Sequence, residues 1–277
     1  MPEILLDINN IVFDYNKGGR ALDGVDFAVA SGEFVALAGR NGSGKTTLTR
    51  LAMALLKPTS GSITLQGKNT SAMTPADMAH SIGYVFQNPD RQIFRDTVAK
   101  EVAYGPEQLK FTPEAVNEAV SKALSMTGLT EAADSFPRTL SRGQKQKVAI
   151  ASAIAMQPKM LILDEPTSGQ DPWEAQNLME LLVGLNKQGI TIILVTHDME
   201  LIAEYTTRAV VLDKGCKVFD GTPAALFDGS QDIARWGLIP PAAVALSQQL
   251  NGINSTDAAE LTGLVSRAIN QRRENHA

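Results

Sequence analysis

Phe34-Val35-Ala36-Leu37-Ala38-Gly39-Arg40-Asn41-Gly42-Ser43-Gly44-Lys45-Thr46 decides the fold. Five unbroken apolar residues run into a full match to GxxxxGK[ST]. From Thr46 to Leu56 the residues Leu48, Leu51, Leu55 and Leu56 then fall at helical spacing. A strand, a glycine-rich turn and a helix in that order form a phosphate-binding loop. The glycines let several backbone N–H groups converge on phosphate oxygens, and the helix N-terminus adds positive partial charge. Gly39, Asn41, Gly42, Ser43, Gly44, Lys45, Thr46 and Thr47 are the expected nucleotide contacts. Lys45 bridges the β- and γ-phosphates in this reading, and the Thr46 hydroxyl ligates Mg²⁺.

Outward from this loop, the preceding segments Ile4–Tyr15 and Ala21–Val29 alternate apolar and polar residues around the turn 16–19, which reads as half-exposed antiparallel strands. Downstream, Ile82–Phe86, Met160–Leu163 and Thr191–Val195 are continuous apolar runs, suited to strands covered on both faces of a parallel sheet. Helical spacing separates them, over Asp96–Met126 with an interruption at Gly105-Pro106, and over Gln144–Met156. Alternating strands and helices predict an α/β fold with a mostly parallel sheet. Ala209–Leu212 and Cys216–Phe219 read as a hairpin. Past it, residues 222–277 form the expected small appended domain, closing on a helix with Leu261, Leu264, Val265 and Ile269, capped by Thr256 or Asp257.

Chemistry gathers at the predicted strand ends. Met160-Leu161-Ile162-Leu163 ends in Asp164-Glu165, two acids that packing does not explain and that suit the ligand edge of an α/β sheet. Asp164 is the expected Mg²⁺ holder, and Glu165 the base or orienter of an attacking water. Thr191–Val195 leads to His197, placed to contact a γ-phosphate. Tyr84-Val85-Phe86 leads to Gln87, whose carbonyl can ligate Mg²⁺ or hold a water. Leu140-Ser141-Arg142-Gly143-Gln144 opens another helix, and Ser141, Gly143 and Gln144 make a second anion-binding end. One phosphate group does not need two such ends, so the second points to a nucleotide in a partner subunit.

Composition narrows the classes. Of 277 residues, 44% are apolar and 20% charged, enough to bury a core, and the formal net charge is −5, which gives no global footprint for nucleic acid. The single cysteine, Cys216, cannot form an intrachain disulfide. No apolar run approaches the roughly 20 residues of a spanning helix.

Taken in order, these landmarks resemble the ATP-binding cassette (ABC) ATPases over about residues 3–220. Tyr15 matches the aromatic residue that stacks on adenine, Gln87 the Q-loop, Leu140–Gln144 the signature, Leu161–Glu165 Walker B, Ser168–Asp171 the D-loop and His197 the switch histidine. A narrower likeness follows. Gln87–Phe94, Thr97-Val98, Glu101–Pro106 and the tail Gly237-Leu238-Ile239-Pro240-Pro241 resemble energy-coupling factor (ECF) ATPase subunits of vitamin and metal-ion importers. The resemblance implies a P-loop core over 1–221, an antiparallel β subdomain, a helical signature subdomain at about 90–156 and a C-terminal extension with a dimerisation role.

It further implies Mg²⁺-dependent ATP hydrolysis at the cytoplasmic face of the membrane, with Glu165, His197 and Gln87 as catalytic residues. Two ATPases, identical or sibling, close head-to-tail on two ATP molecules. A transmembrane coupling subunit and a substrate-capturing membrane subunit complete the assembly, and no nucleic acid takes part. The alternatives are an ATPase of another ABC transporter and a soluble non-transport ABC protein. Two residues depart from the pattern: Arg142 where the signature usually has Gly, and Gln170 where the D-loop usually has Leu. The resemblance places Arg142 toward the nucleotide held by the partner.

Overall fold

The computed structural model describes residues 3–16 and 19–249, with side chains described to residue 246. The expected closing helix around Leu261–Ile269, and the centre of the 16–19 turn, lie outside the described residues.

Strands β1 (Ile4–Tyr15) and β2 (Gly19–Ala30) pair antiparallel, and β3 (Phe34–Ala38) follows. Helix α1 (Lys45–Ala52) leads to β4 (Ser60–Leu65) and β5 (Lys68–Asn69), then α2 (Pro75–Ala79) and β6 (Ile82–Val85). Three helices, α3 (Val98–Gln108), α4 (Pro113–Thr127) and α5 (Arg142–Ala155), precede β7 (Met160–Asp164). The chain continues through α6 (Pro172–Lys187), β8 (Thr191–Val195), α7 (Met199–Tyr205), β9 (Arg208–Asp213) and β10 (Cys216–Gly221) to α8 (Pro223–Phe227) and α9 (Ala242–Gln249).

Two sheets result. The larger has the order β10-β9-β3-β8-β7-β6, with five parallel strands and β10 antiparallel at its edge. The smaller, β2-β1-β4-β5, is antiparallel. The unbroken apolar runs are buried residue for residue in β3, β7 and β8, as a two-sided layer requires. Successive β3 residues face different cores. Val35 and Leu37 join the one shared with the antiparallel sheet and α1, and Phe34 the one under α5 and α6. Ala36 and Ala38 join a third core with Met199, Ile202, Leu226, Phe227, Leu238 and Val244. The described start of the C-terminal segment thus shares a core with β3, β9 and α7.

Two helix boundaries depart from the sequence reading. Helix α1 ends at Ala52, not Leu56, because Ala54 takes a left-handed φ of 54° and Leu55 N–H reaches back to Arg50 O. Pro58 favours extended backbone at residue 57 and sends the chain toward β4. The helical stretch after Asp96 is not interrupted at Gly105-Pro106, which lie inside α3. Gly105 serves a close approach: a Cβ there would stand 2.7 Å from Met156 Cγ. The break comes later, at Lys110 with φ 60°, before the Thr112 cap and Pro113 open α4.

The parallel strands β3, β8, β7 and β6 are consecutive neighbours with a common direction. Their carboxyl ends therefore release four loops onto one edge, the ligand edge of an open α/β sheet.

Candidate active site

Each strand end contributes a part. The β3 end carries the phosphate loop, whose glycines are required by close contacts. A Cβ on Gly39 would collide with Leu212 O and Ser43 Oγ. Gly44 has φ 108° and would strike Leu22 and Ala21. The β7 end carries Asp164 and Glu165, β8 leads through Thr196 to His197, and β6 leads through Phe86 to Gln87.

These residues line one open cavity of about 480 Å³. Its walls are Tyr15, the stretch Asn41–Thr47, Gln87, Asp164, Glu165, Ser168 and His197, with Ala21. The sequence thus anticipated most of the wall; Ala21 and Ser168 were not anticipated for it. Tyr15 is 40% exposed, braced edge-on by Phe13, with its hydroxyl 3.2 Å from Thr47 Oγ1. Ser43 Oγ is buried with no hydrogen-bond partner, an orphan that suits a loop built to take an anion's oxygens.

The charged groups are buried. Lys45 is 6% exposed, and its Nζ donates to the Gly39 and Arg40 carbonyls. Burial pushes its pKa below the usual lysine value, although Glu165 and Asp164 pull the other way. Asp164 accepts at Oδ2 from Thr46 Oγ1 (3.3 Å) and Tyr84 Oη (3.3 Å), yet burial holds its pKa above the ordinary aspartate value. Tyr84, which was not anticipated, is pushed up to about 12 by burial and then by Asp164. Both Lys45 and Asp164 are displaced toward neutrality. A polyanion beside Lys45 and a divalent cation beside Asp164 would reverse those shifts.

Glu165 is strained. It is 8% exposed and takes φ 50°, in the left-handed region that only glycine enters without cost. His197 Nδ1–H donates to its carboxylate, 2.8 Å from each oxygen. A carboxylate aimed by an imidazole at a ligand edge is the arrangement of a positioned base.

The expected second anion-binding end lies elsewhere. Ser141 caps α5 in a capping box: its Oγ accepts from Gln144 N–H, and Gln144 Oε1 accepts from Ser141 N–H. Ser141, Gly143 and Gln144 line a separate cavity with Lys147, Gln170, Trp173 and Glu174, sharing no residue with the first. Lys145 ties α5 to the loop after Gln87 through a 2.9 Å ion pair with Asp90. Arg142, which the resemblance places toward a partner's nucleotide, lies over Gly169 of the same chain.

Asp164 gives a testable consequence. An aspartate whose folded pKa is raised costs stability progressively as pH rises through the carboxylate range. Asp164→Asn keeps an acceptor for Thr46 and Tyr84 and removes the desolvated charge. The nucleotide-free variant is expected to melt about 2–4 °C higher at neutral pH, with the gain vanishing below the carboxylate range. Thermal melts across pH check this, and a lower melting temperature would contradict it.

Comparison with known proteins agrees with this geometry. A sequence profile described as ABC transporter matches residues 22–168, and one described as AAA domain, putative AbiEii toxin, Type IV TA system matches 136–203. The chain is 39% identical over 249 residues to the energy-coupling factor transporter ATP-binding protein EcfA of Methanocaldococcus jannaschii, covering 89% of each. It is 40% identical over 248 residues to a putative ABC transporter ATP-binding protein of Caldanaerobacter subterraneus. That alignment covers 90% of this chain but only 44% of the longer relative. Among solved structures, cbiO1 of Clostridium perfringens, described as part of the ABC transporter complex cbiONQ, superposes with a TM-score of 0.78 at 36% identity. It covers 89% of this chain and 99% of that one. No helix among the described residues is long and apolar enough to cross a membrane.

Proposed function

This chain belongs to the ABC transporter family, and on that premise we propose that it is the ATP-hydrolysing subunit of an ECF-type importer of a vitamin or transition-metal ion. It works peripherally at the cytoplasmic face of a membrane. The observation that carries the reading is the shared cavity of Lys45, Thr46, Gln87, Asp164, Glu165 and His197.

The loop amides and Lys45 hold the β- and γ-phosphates, and Tyr15 offers its ring to the adenine. Thr46, Gln87 and Asp164 present hard oxygen donors that would hold Mg²⁺, which when bound offsets phosphate charge. Glu165 accepts a proton from water as the water oxygen bonds to the γ-phosphorus and the bond to the β-phosphate oxygen breaks. His197 keeps the carboxylate aimed. Positioning and charge compensation supply most of the rate.

The cavity around Ser141, Gly143 and Gln144 serves the nucleotide of a second ATPase, a copy or a sibling, paired head-to-tail. Exposed Phe86 and Phe94, flanking the Gln87 loop, suit a transmembrane coupling subunit that works beside a substrate-capturing membrane subunit. Co-purification of the tagged chain in mild detergent, with mass spectrometry, tests this. A polytopic membrane protein is expected alongside an ATPase. Ribosomal or DNA-bound proteins in its place would end the transport reading while leaving the ATPase.

A further inference from the structure

Arg142 is where this chain leaves the signature pattern, and its side chain has a definite place. The guanidinium lies on Gly169, so that a Cβ added there would stand 2.8 Å from Cζ, 2.9 Å from Nη1 and 3.1 Å from Nη2. A Cβ there would have to displace the guanidinium, so the planar group packs against the bare Cα. Gly169 has φ 72°, which independently favours glycine. The contact is steric. Among the described residues the Arg142 side chain has no hydrogen-bond or ion-pair partner, and its donors stay free.

The loop it touches has few hydrogen bonds of its own, and both Arg142 and Gly169 remain exposed. Ser168 N–H donates to Glu165 O and Gln170 N–H to Thr167 O, each at 3.1 Å. Gln170 Nε2 reaches Pro166 O at 3.3 Å, while its Oε1 is buried without a partner. One residue before Gly169, Ser168 lines the nucleotide cavity with Glu165 and His197. One helix further, a Cβ on Gly143 would stand 2.7 Å from Glu174 Oε1, so the starts of α5 and α6 interlock. A chain of contacts thus runs from the start of α5, across Gly169, to the wall of this chain's own cavity.

We propose that Arg142 is a positioning residue that packs on Gly169 and holds the Ser168–Asp171 loop, and with it Ser168, in place for hydrolysis in the same chain. The functional half of this proposal rests on the ATPase reading above. Arg142 touches no reacting atom and acts through Gly169.

The test starts with the free, nucleotide-less full chain, where no second nucleotide exists to confuse the effect. Arg142→Ala is expected to speed amide exchange about tenfold at Ser168 and Gln170, while amides of the 39–47 loop stay unchanged. Unchanged exchange at 168–170 overturns the proposal, and a rise throughout the chain assigns Arg142 to general stability instead, which also overturns it. Steady-state ATPase follows. Arg142→Ala is expected to lower kcat about tenfold with KM for ATP held within twofold, because the phosphate loop is untouched. Arg142→Lys keeps the charge but not the flat group, so it is expected to fall with Ala. Full rescue by Lys would assign the effect to charge and overturn the packing role. If the unsubstituted chain hydrolyses no ATP, it is the ATPase reading that fails, and the exchange result still judges the contact.

Discussion

Glu165→Gln is expected to bind ATP as the unsubstituted chain does and to lose about two to three orders of magnitude of turnover. The substitution is isosteric, so the site's shape survives. Gln keeps a carbonyl that accepts from His197 Nδ1–H, preserving the 2.8 Å contact that aims the group. What goes is the negative charge and the basicity that take a proton from water. Binding survives because the phosphate contacts come from the β3 end, through Lys45 and the loop amides, on a strand two places from β7. The φ of 50° at Glu165 sharpens the case. A non-glycine residue in that region costs on the order of 1–3 kcal/mol, and asparagine or glycine would sit there more easily. The surrounding fold therefore holds a carboxylate in a conformation it disfavours. Steady-state phosphate release and a nucleotide titration check both halves. Turnover within twofold of the unsubstituted chain would reject Glu165 as the base.

Most of that cavity was legible because its requirements are local. The phosphate loop needs glycine at Gly39 and Gly44 for contacts made within a strand–turn–helix, and the sequence spells them out. Asp164, Glu165, His197 and Gln87 betray themselves as polar residues directly after apolar strands. The 2.8 Å contact between Glu165 and His197 does not. It exists because β7 and β8 are adjacent, and strand order is not written in apolar periodicity. Tyr84 escaped for the same reason: its hydroxyl meets Asp164 across 80 residues of chain, while in sequence it is one more aromatic in a strand. Nothing local reveals that Arg142 lies on Gly169, a glycine that arrives from the loop after β7. The misplaced break at Gly105-Pro106 shows the converse. Local signals said helix end, and the room Gly105 leaves for Met156 in the α3–α5 packing kept the helix going.

Lys45→Ala should fail at the step Glu165→Gln leaves intact. Lys45 is 6% exposed, its ammonium donates to the Gly39 and Arg40 carbonyls, and burial already pushes its pKa down. Removing one partner of a buried charge pair costs about 2–5 kcal/mol, so affinity for a labelled ATP analogue is expected to fall roughly a hundredfold. The loop amides and Ser43 Oγ persist, so some binding persists with them. The fold is not at risk. Ala is the best helix former at the start of α1, and deleting a desolvated ammonium removes a cost from the free chain. Melting temperature without nucleotide should hold or rise while affinity collapses, which separates lost contact from lost structure. Affinity within threefold would show that Lys45 does not meet the phosphates, and the anion reading of the cavity would then rest on the backbone amides and Ser43 Oγ.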